Sequence, residues 1–200
     1  MADRNVDKLP APHLESSFSL EKALASRRTL RSFVGGPLTL HDVAQLLWAA
    51  QGISNLDGLR TAPSAGALFP LELHLLAGEV EGLAAGLYRY DAKHHTLAPE
   101  RKGDLRTAVA RLALDQDWIG QSSVIFVVSA VCSRTAVKYG DRAKRYIHME
   151  VGHASQNLLL QATALELRSA IVGAFDDDHL RELLGLPEDE QPLILLPVGH

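Results

Sequence analysis

Two rhythms of apolar residues run through the chain. In the first, Val43, Leu46, Leu47 and Ala50 recur at i, i+3, i+4 and i+7, the stripe of an amphipathic helix. Thr39 and Asp42 frame its start and Gly52 is placed to end it. An earlier helix begins after Ser19, a hydroxyl that can cap free N–H groups, with Glu21 in its first turn and Leu20, Ala23 and Leu24 at helical spacing. Ile147, Val151, Ala154, Leu158 and Leu165 mark a long helix from about 142 to 167. DLRTAVARLAL and DDDHLRELLGL predict shorter ones, the second led by Asp176, Asp177 and Asp178 as an N-cap cluster. The second rhythm is that of strands. LELHLLAG and GLYRYD are two, with Tyr88 and Tyr90 on one face, and SAIVGAF and PLILLPVG are two more near the end. SSVIFVVSAV is continuous and β-branched, which predicts a strand buried on both faces, closed by Cys132 as a small core residue. Helices and strands mix without strict βαβ alternation, so the expected class is α+β.

Residues 1–18 hold prolines and polar turn formers and read as a flexible N-terminal arm; residues 19–200 read as a single domain. An apolar content of 46% is ample for its core. The 20 basic and 24 acidic residues leave a formal charge of −4, which gives no general attraction to nucleic acid or to an anionic membrane. One cysteine excludes an intrachain disulfide and a thiolate metal cluster. The first residues lack the apolar stretch of a signal peptide and no run of eighteen apolar residues occurs, so a cytoplasmic location is expected.

Three places carry candidate chemistry. Arg27, Arg28 and Arg31 stand near the end of the first helix at spacings that bring them to one face, with Thr29 adding a hydroxyl. Guanidinium groups bind phosphate through paired donors and keep their charge, so this is a candidate anion cradle; a solvated helix end is the plainer alternative. The stretch PSAGALFP, residues 63–70, places Pro63, Ser64, Ala65 and Gly66 beside Leu68 and Phe69. Small residues let main-chain groups approach a flat ligand, and the apolar pair walls it from water. Gly173 and Ala174, just before Phe175, offer the same at the end of a strand. A flavin ring needs such a bed, with N–H donors near its edge.

RRTLRSF, LLWAAQGIS, RTAPSAGALFPLEL, GLYRYD, KYGDRAKRY, EVGHASQNLLLQA and IVGAF, in that order over residues 19 to 199, resemble the nitroreductase superfamily of FMN enzymes, in particular its SagB-type dehydrogenase branch. The resemblance implies a central antiparallel or mixed sheet flanked by helices, a homodimer with the long helix at the interface, and FMN held between the subunits. One protomer would supply Arg28, Thr29 and Arg31, the other Pro63, Ser64, Ala65 and Gly66, with Gly173 and Ala174 against the flavin N5 region. It also implies ping-pong hydride transfer from NAD(P)H or an organic substrate through FMN to a small-molecule acceptor. Members of the branch that oxidise azolines on peptides use a Lys-Tyr pair, which Lys138 and Tyr139 match, and they commonly act in a complex with partner proteins. Many nitroreductases place an asparagine where this chain has Ala67, and carry basic residues beyond the last strand, where this chain ends at His200.

Two other readings stand beside this one: an azoline dehydrogenase acting on a modified peptide, and a flavin-binding module without turnover. His148, Glu150 and His153 fall at i, i+2 and i+5, which points them in different directions around a helix and disfavours zinc. Gln156 and Asn157 read as buried polar groups at a helix or subunit contact. Gly35, Gly36 and Pro37 form a turn without phosphate-loop spacing, and no GxSxG elbow occurs.

Overall fold

The structure is a computed structural model that describes residues 7–200. Its centre is a sheet of seven strands: β1 (Asp7–Lys8), β2 (Leu71–Ala77), β3 (Gly86–Asp91), β4 (Thr96–Lys102), β5 (Val124–Val131), β6 (Arg168–Ser169) and β7 (Glu190–Gly199). They lie in the order β1-β4-β3-β2-β5-β7-β6, and every paired neighbour is antiparallel. The helices are α1 (Leu20–Ser26), α2 (Leu40–Gln51), α3 (Arg106–Leu112), α4 (Cys132–Tyr139), α5 (Ala143–Ala164) and α6 (Asp177–Leu184). Strand β5 is covered on both faces, as its unbroken apolar run predicts. Val124, Phe126 and Val128 join Leu46, Leu47, Val151 and Leu158 of α2 and α5, whereas Ile125 and Val127 join Val109, Leu180 and Leu184 of α3 and α6. Each such side chain contributes roughly 1.5–3 kcal/mol by leaving water. None of the described helices is long and apolar enough to cross a membrane.

Local chemistry fixes the helix starts where the sequence signals them. Thr39 and Asp42 form a reciprocal capping box, Ser19 accepts from Lys22 N–H, and Asp176 accepts from His179 N–H. The long helix ends at Ala164, with Leu165 as its cap.

Several expectations are corrected. Cys132 opens α4 instead of closing β5, because the chain turns into a helix directly after Val131. SAIVGAF is a strand only in its approach. The ladder covers Arg168 and Ser169, Val172 makes one further bridge to Leu195, and Ile171 is exposed. Strand β4 is absent from the sequence reading because Pro99 and three charged residues break its pattern; it pairs with β3 through an irregular register next to Tyr88. In the segment read as an arm, residues 1–6 lie outside the described residues, residues 7–13 make contacts with the domain, and Leu14 to Ser17 are exposed. Asp7 and Lys8 pair with β4, buried Leu9 donates its N–H to His95 O, and His13 N–H donates to Gln45 Oε1 at 2.8 Å.

Candidate functional site

The stretch from Leu59 to Phe69 rises from the end of α2 and lines a cleft of about 370 Å³ with Arg60, Pro63, Ser64, Ala67 and Phe69. Its backbone is unusual. Gly66, Ala67 and Phe69 have φ of 65°, 53° and 46°, so two residues with side chains occupy the left-handed region. Such conformations cost about 1–2 kcal/mol each and persist where surroundings over-determine them. Here Ser64 Oγ accepts Phe69 N–H at 3.0 Å, the Arg134 guanidinium donates to Phe69 O at 3.2 Å, and Asn157 Nδ2 donates to Thr61 O at 3.2 Å. Ala67 adopts a conformation that asparagine tolerates better.

Helix α4 brings Lys138 and Tyr139 directly over this bend. A Cβ placed on Gly66 would lie 2.9 Å from Tyr139 Oη and 3.1 Å from Lys138 Nζ, so a side chain there would have to displace these two tips, and the φ of 65° favours glycine as well. Tyr139 is held edge-on against Tyr146, with ring centroids 4.8 Å apart, and Lys138 Nζ is 5.5 Å from the Tyr139 ring centre. The two candidate side chains and the candidate loop therefore meet within one chain. Nothing in the sequence read α4 as a helix, since its exposed residues leave no broad apolar stripe.

The arginines are placed differently. Helix α1 stops at Ser26, so Arg27, Arg28 and Arg31 do not share a helical face: Leu30 N–H bonds to Ser169 O and Val34 N–H to His200 O, and these contacts draw the segment out along β6 and β7. Arg28 Nη1 donates to Ala25 O and Arg27 O, closing the end of α1. Arg31 lies 5.9 Å from the Trp118 ring, which itself stacks on Phe33. Arg28, Thr29 and Arg31 are exposed, and Gly173 and Ala174 are exposed four and five residues beyond Ser169. Among the described residues no hydrogen bond, ion pair or ring contact joins Arg27, Arg28 or Arg31 to residues 63–67.

On α5, His148 and His153 are exposed whereas Glu150 is buried. Gln156 is exposed in the single chain, where among the described residues it makes no interhelical hydrogen bond, and Asn157 reaches the loop. Sequence reasoning weighed Glu150 only as a metal ligand. Its position three residues after Ile147 and four before Ala154, both core residues, was the available sign of burial. Burial pushes its carboxyl up to about 7, against the opposing influence of the Ser64 hydroxyl and the Arg60 charge. Burial likewise lowers Arg60, whose guanidinium donates to Gln51 Oε1 at 2.6 Å and lies 4.7 Å from the centre of the Phe69 ring.

The profile of the Nitroreductase family matches residues 24–200. A nitroreductase-family protein of Methanocaldococcus jannaschii is 38% identical over 193 residues, 96% of each chain. A solved nitroreductase-family structure from Ralstonia eutropha superimposes with a TM-score of 0.87 at 30% identity, over 98% of this chain and 89% of that one. A chain of the Escherichia coli microcin synthetase McbBCD, solved with truncated pro-MccB17 bound, gives 0.77 at 25% identity over 97% of this chain and 77% of that one. A match that runs from residue 24 to residue 200, and that whole-length relatives repeat, decides the assignment: the chain belongs to the nitroreductase family of oxidoreductases.

Proposed function

We propose that the protein is an FMN-dependent oxidoreductase acting as a homodimer, which takes a hydride from NAD(P)H or an organic substrate and passes it to a small-molecule acceptor. The observation that carries this reading is the bend at Gly66, whose bare backbone lies beneath Lys138 Nζ and Tyr139 Oη. That bend fits a flat ring: it has no side chain to displace, small neighbours at Ala65 and Ala67, and a polar pair at its rim. Arg28, Thr29 and Arg31 supply exposed donors suited to a phosphate and ribityl chain, with Arg27 beside them. Because these do not meet the 63–67 bend within one chain, pairing with a second copy accounts for how both could serve one cofactor. FMN, when bound, supplies a two-electron acceptor. Pro63, Ser64, Ala65 and Gly66, with Gly173 and Ala174 from the β6 edge, would hold and orient its ring. Leu68 and Phe69 would exclude water.

One test is retention of the cofactor. The purified protein is expected to carry FMN or to take it up with quenched flavin fluorescence, and to oxidise NAD(P)H with a quinone acceptor. Replacing Arg28 and Arg31 together with alanine should weaken FMN binding by about 100-fold, the loss of two charge-assisted contacts. Undiminished binding in the double variant would defeat the arginine assignment. Flavin that binds but that no donor reduces would favour a binding module.

A second reading, oxidation of an azoline ring on a modified peptide, is favoured by the position of Lys138 and Tyr139 and by the likeness to the microcin synthetase chain. Removing hydrogen from such a ring needs a proton acceptor near the point of hydride departure, and Lys138 Nζ and Tyr139 Oη are the groups placed to hold that proton. Under this reading, Lys138→Ala with Tyr139→Phe would abolish oxidation of a thiazoline-bearing peptide while NAD(P)H oxidation by quinone persists. Equal loss of both activities would count against it.

A further inference from the structure

Glu150 has no role in the reading above. It stands in the middle of α5, 2% exposed, and its Oε1 has no hydrogen-bond partner among the described residues. The groups that act on it belong to the 59–69 stretch, Ser64 and Arg60. Both also hold Phe69, the far end of the same loop: Ser64 Oγ accepts its N–H, and the Arg60 guanidinium lies over its ring. Arg60 is in turn tied to Gln51 of α2 and feels the charges of Glu72 and Arg134 and the Tyr90 hydroxyl. Lys138 and Tyr139 approach Gly66 from α4. A charge appearing on Glu150 therefore has one cation within the loop to attract, and that cation is already committed to the loop's shape.

We propose that Glu150 is a positioning residue for the 63–69 loop: as a neutral acid it leaves Arg60 on Gln51 and Phe69, and as a carboxylate it draws Arg60 off both and slackens the bed. The proposal rests on the reading of this loop as the ring-binding element. An unpaired buried carboxylate is costly, which favours movement of the nearest cation toward it over a static response. Since burial places the change of state near neutral pH, the loop's grip would weaken as pH rises through about 7.

The experiment measures FMN affinity by flavin fluorescence from about pH 6 to about pH 9 in the wild type and in Glu150→Gln, an uncharged replacement of the same shape. In parallel, it measures the rate of tryptic cleavage after Arg60 in both flavin-free proteins. Wild-type affinity is expected to fall about tenfold across this range while the Gln variant stays level, and the wild-type-to-variant cleavage ratio is expected to rise severalfold. A wild-type affinity that does not change, or a Gln variant that follows the wild type in affinity and cleavage, overturns the proposal. Should the wild type bind no FMN at all, the functional reading falls, and the cleavage ratio alone decides: a rising ratio upholds the control of the loop by Glu150, and a level one refutes it.

Discussion

Two buried glutamates of this protein are shifted in opposite directions. Glu190, at the start of β7, is fully buried, yet it accepts hydrogen bonds from Ser129 Oγ at 2.6 Å and Arg89 Nη2 at 2.7 Å and pairs with His74 Nε2 at 2.7 Å. Burial alone would raise its carboxyl, but the His74 and Ser129 bonds bring it below the usual range. His74 is equally buried and places its other nitrogen 3.2 Å from Glu100; burial would lower its imidazole, and the bonds to Glu100 and Glu190 outweigh that and raise it. Glu150 is buried to the same degree and is pushed up, because it faces a single hydroxyl and a guanidinium committed elsewhere. Neighbouring strands at fixed spacing can aim three donors from β2, β3 and β5 at one carboxylate. A helix beside an irregular loop cannot. The first glutamate is saturated and structural, and the second keeps unspent capacity next to the candidate site.

The contrast can be broken most forcefully at Glu190. Glu190→Ala takes from Arg89 and His74 the buried carboxylate that both contact at 2.7 Å, leaving them the more exposed Glu100, and should cost about 3–5 kcal/mol of unfolding free energy in chemical denaturation. A loss below about 1 kcal/mol would erase the distinction between the two sites. The signs of the pH dependence differ as well. Glu190 stabilises above the ordinary glutamate range and ceases to as pH falls through its lower folded value. His74 stabilises below about 6.5 and ceases to as pH rises through its raised value. Glu150, whose folded value is above its unfolded one, is a cost that grows from about 4.5 to about 7. Glu150→Gln should therefore stabilise the protein at about pH 8 by roughly 1–3 kcal/mol and leave it little changed at about pH 5, measured by denaturation at both pH values. Equal effects at the two would show that Glu150 is ionised throughout.

Smaller changes sharpen the picture of the loop. Gly66→Ala puts a side chain at φ 65° and against Tyr139 Oη and Lys138 Nζ, at a cost of about 1–2 kcal/mol, with weaker FMN binding on the same assay. Lys138→Ala, at an exposed position, should alter stability by less than about 0.5 kcal/mol. A larger stability loss would mean that Lys138 belongs to the framework and not to the rim of the site.

Legibility followed the range of the interactions. Thr39 with Asp42, Ser19, and Asp176 carry their structural meaning within four residues, and each caps the helix that the sequence placed there. The bend at 63–70 was noticed for its composition, but the left-handed Ala67 and Phe69 are held by Ser64, Arg60 and the distant Arg134, which no local pattern announces. The arginines illustrate the opposite error. Their spacing suits a helix, but Ser169 and His200 offer backbone partners that pull the segment out of one.

What the sequence determined by itself is what local physics governs: the apolar periods, the doubly buried β5, the helix caps, and the ordered motifs by which the family is recognised. What only the tertiary structure decided is which side chains gather around the 59–69 stretch. Lys138 and Tyr139 come from α4, Glu150 from α5 and Gly66 from a loop some seventy residues earlier. Their meeting, and the charge state of Glu150 that follows from it, depends on water excluded by the packing of all three.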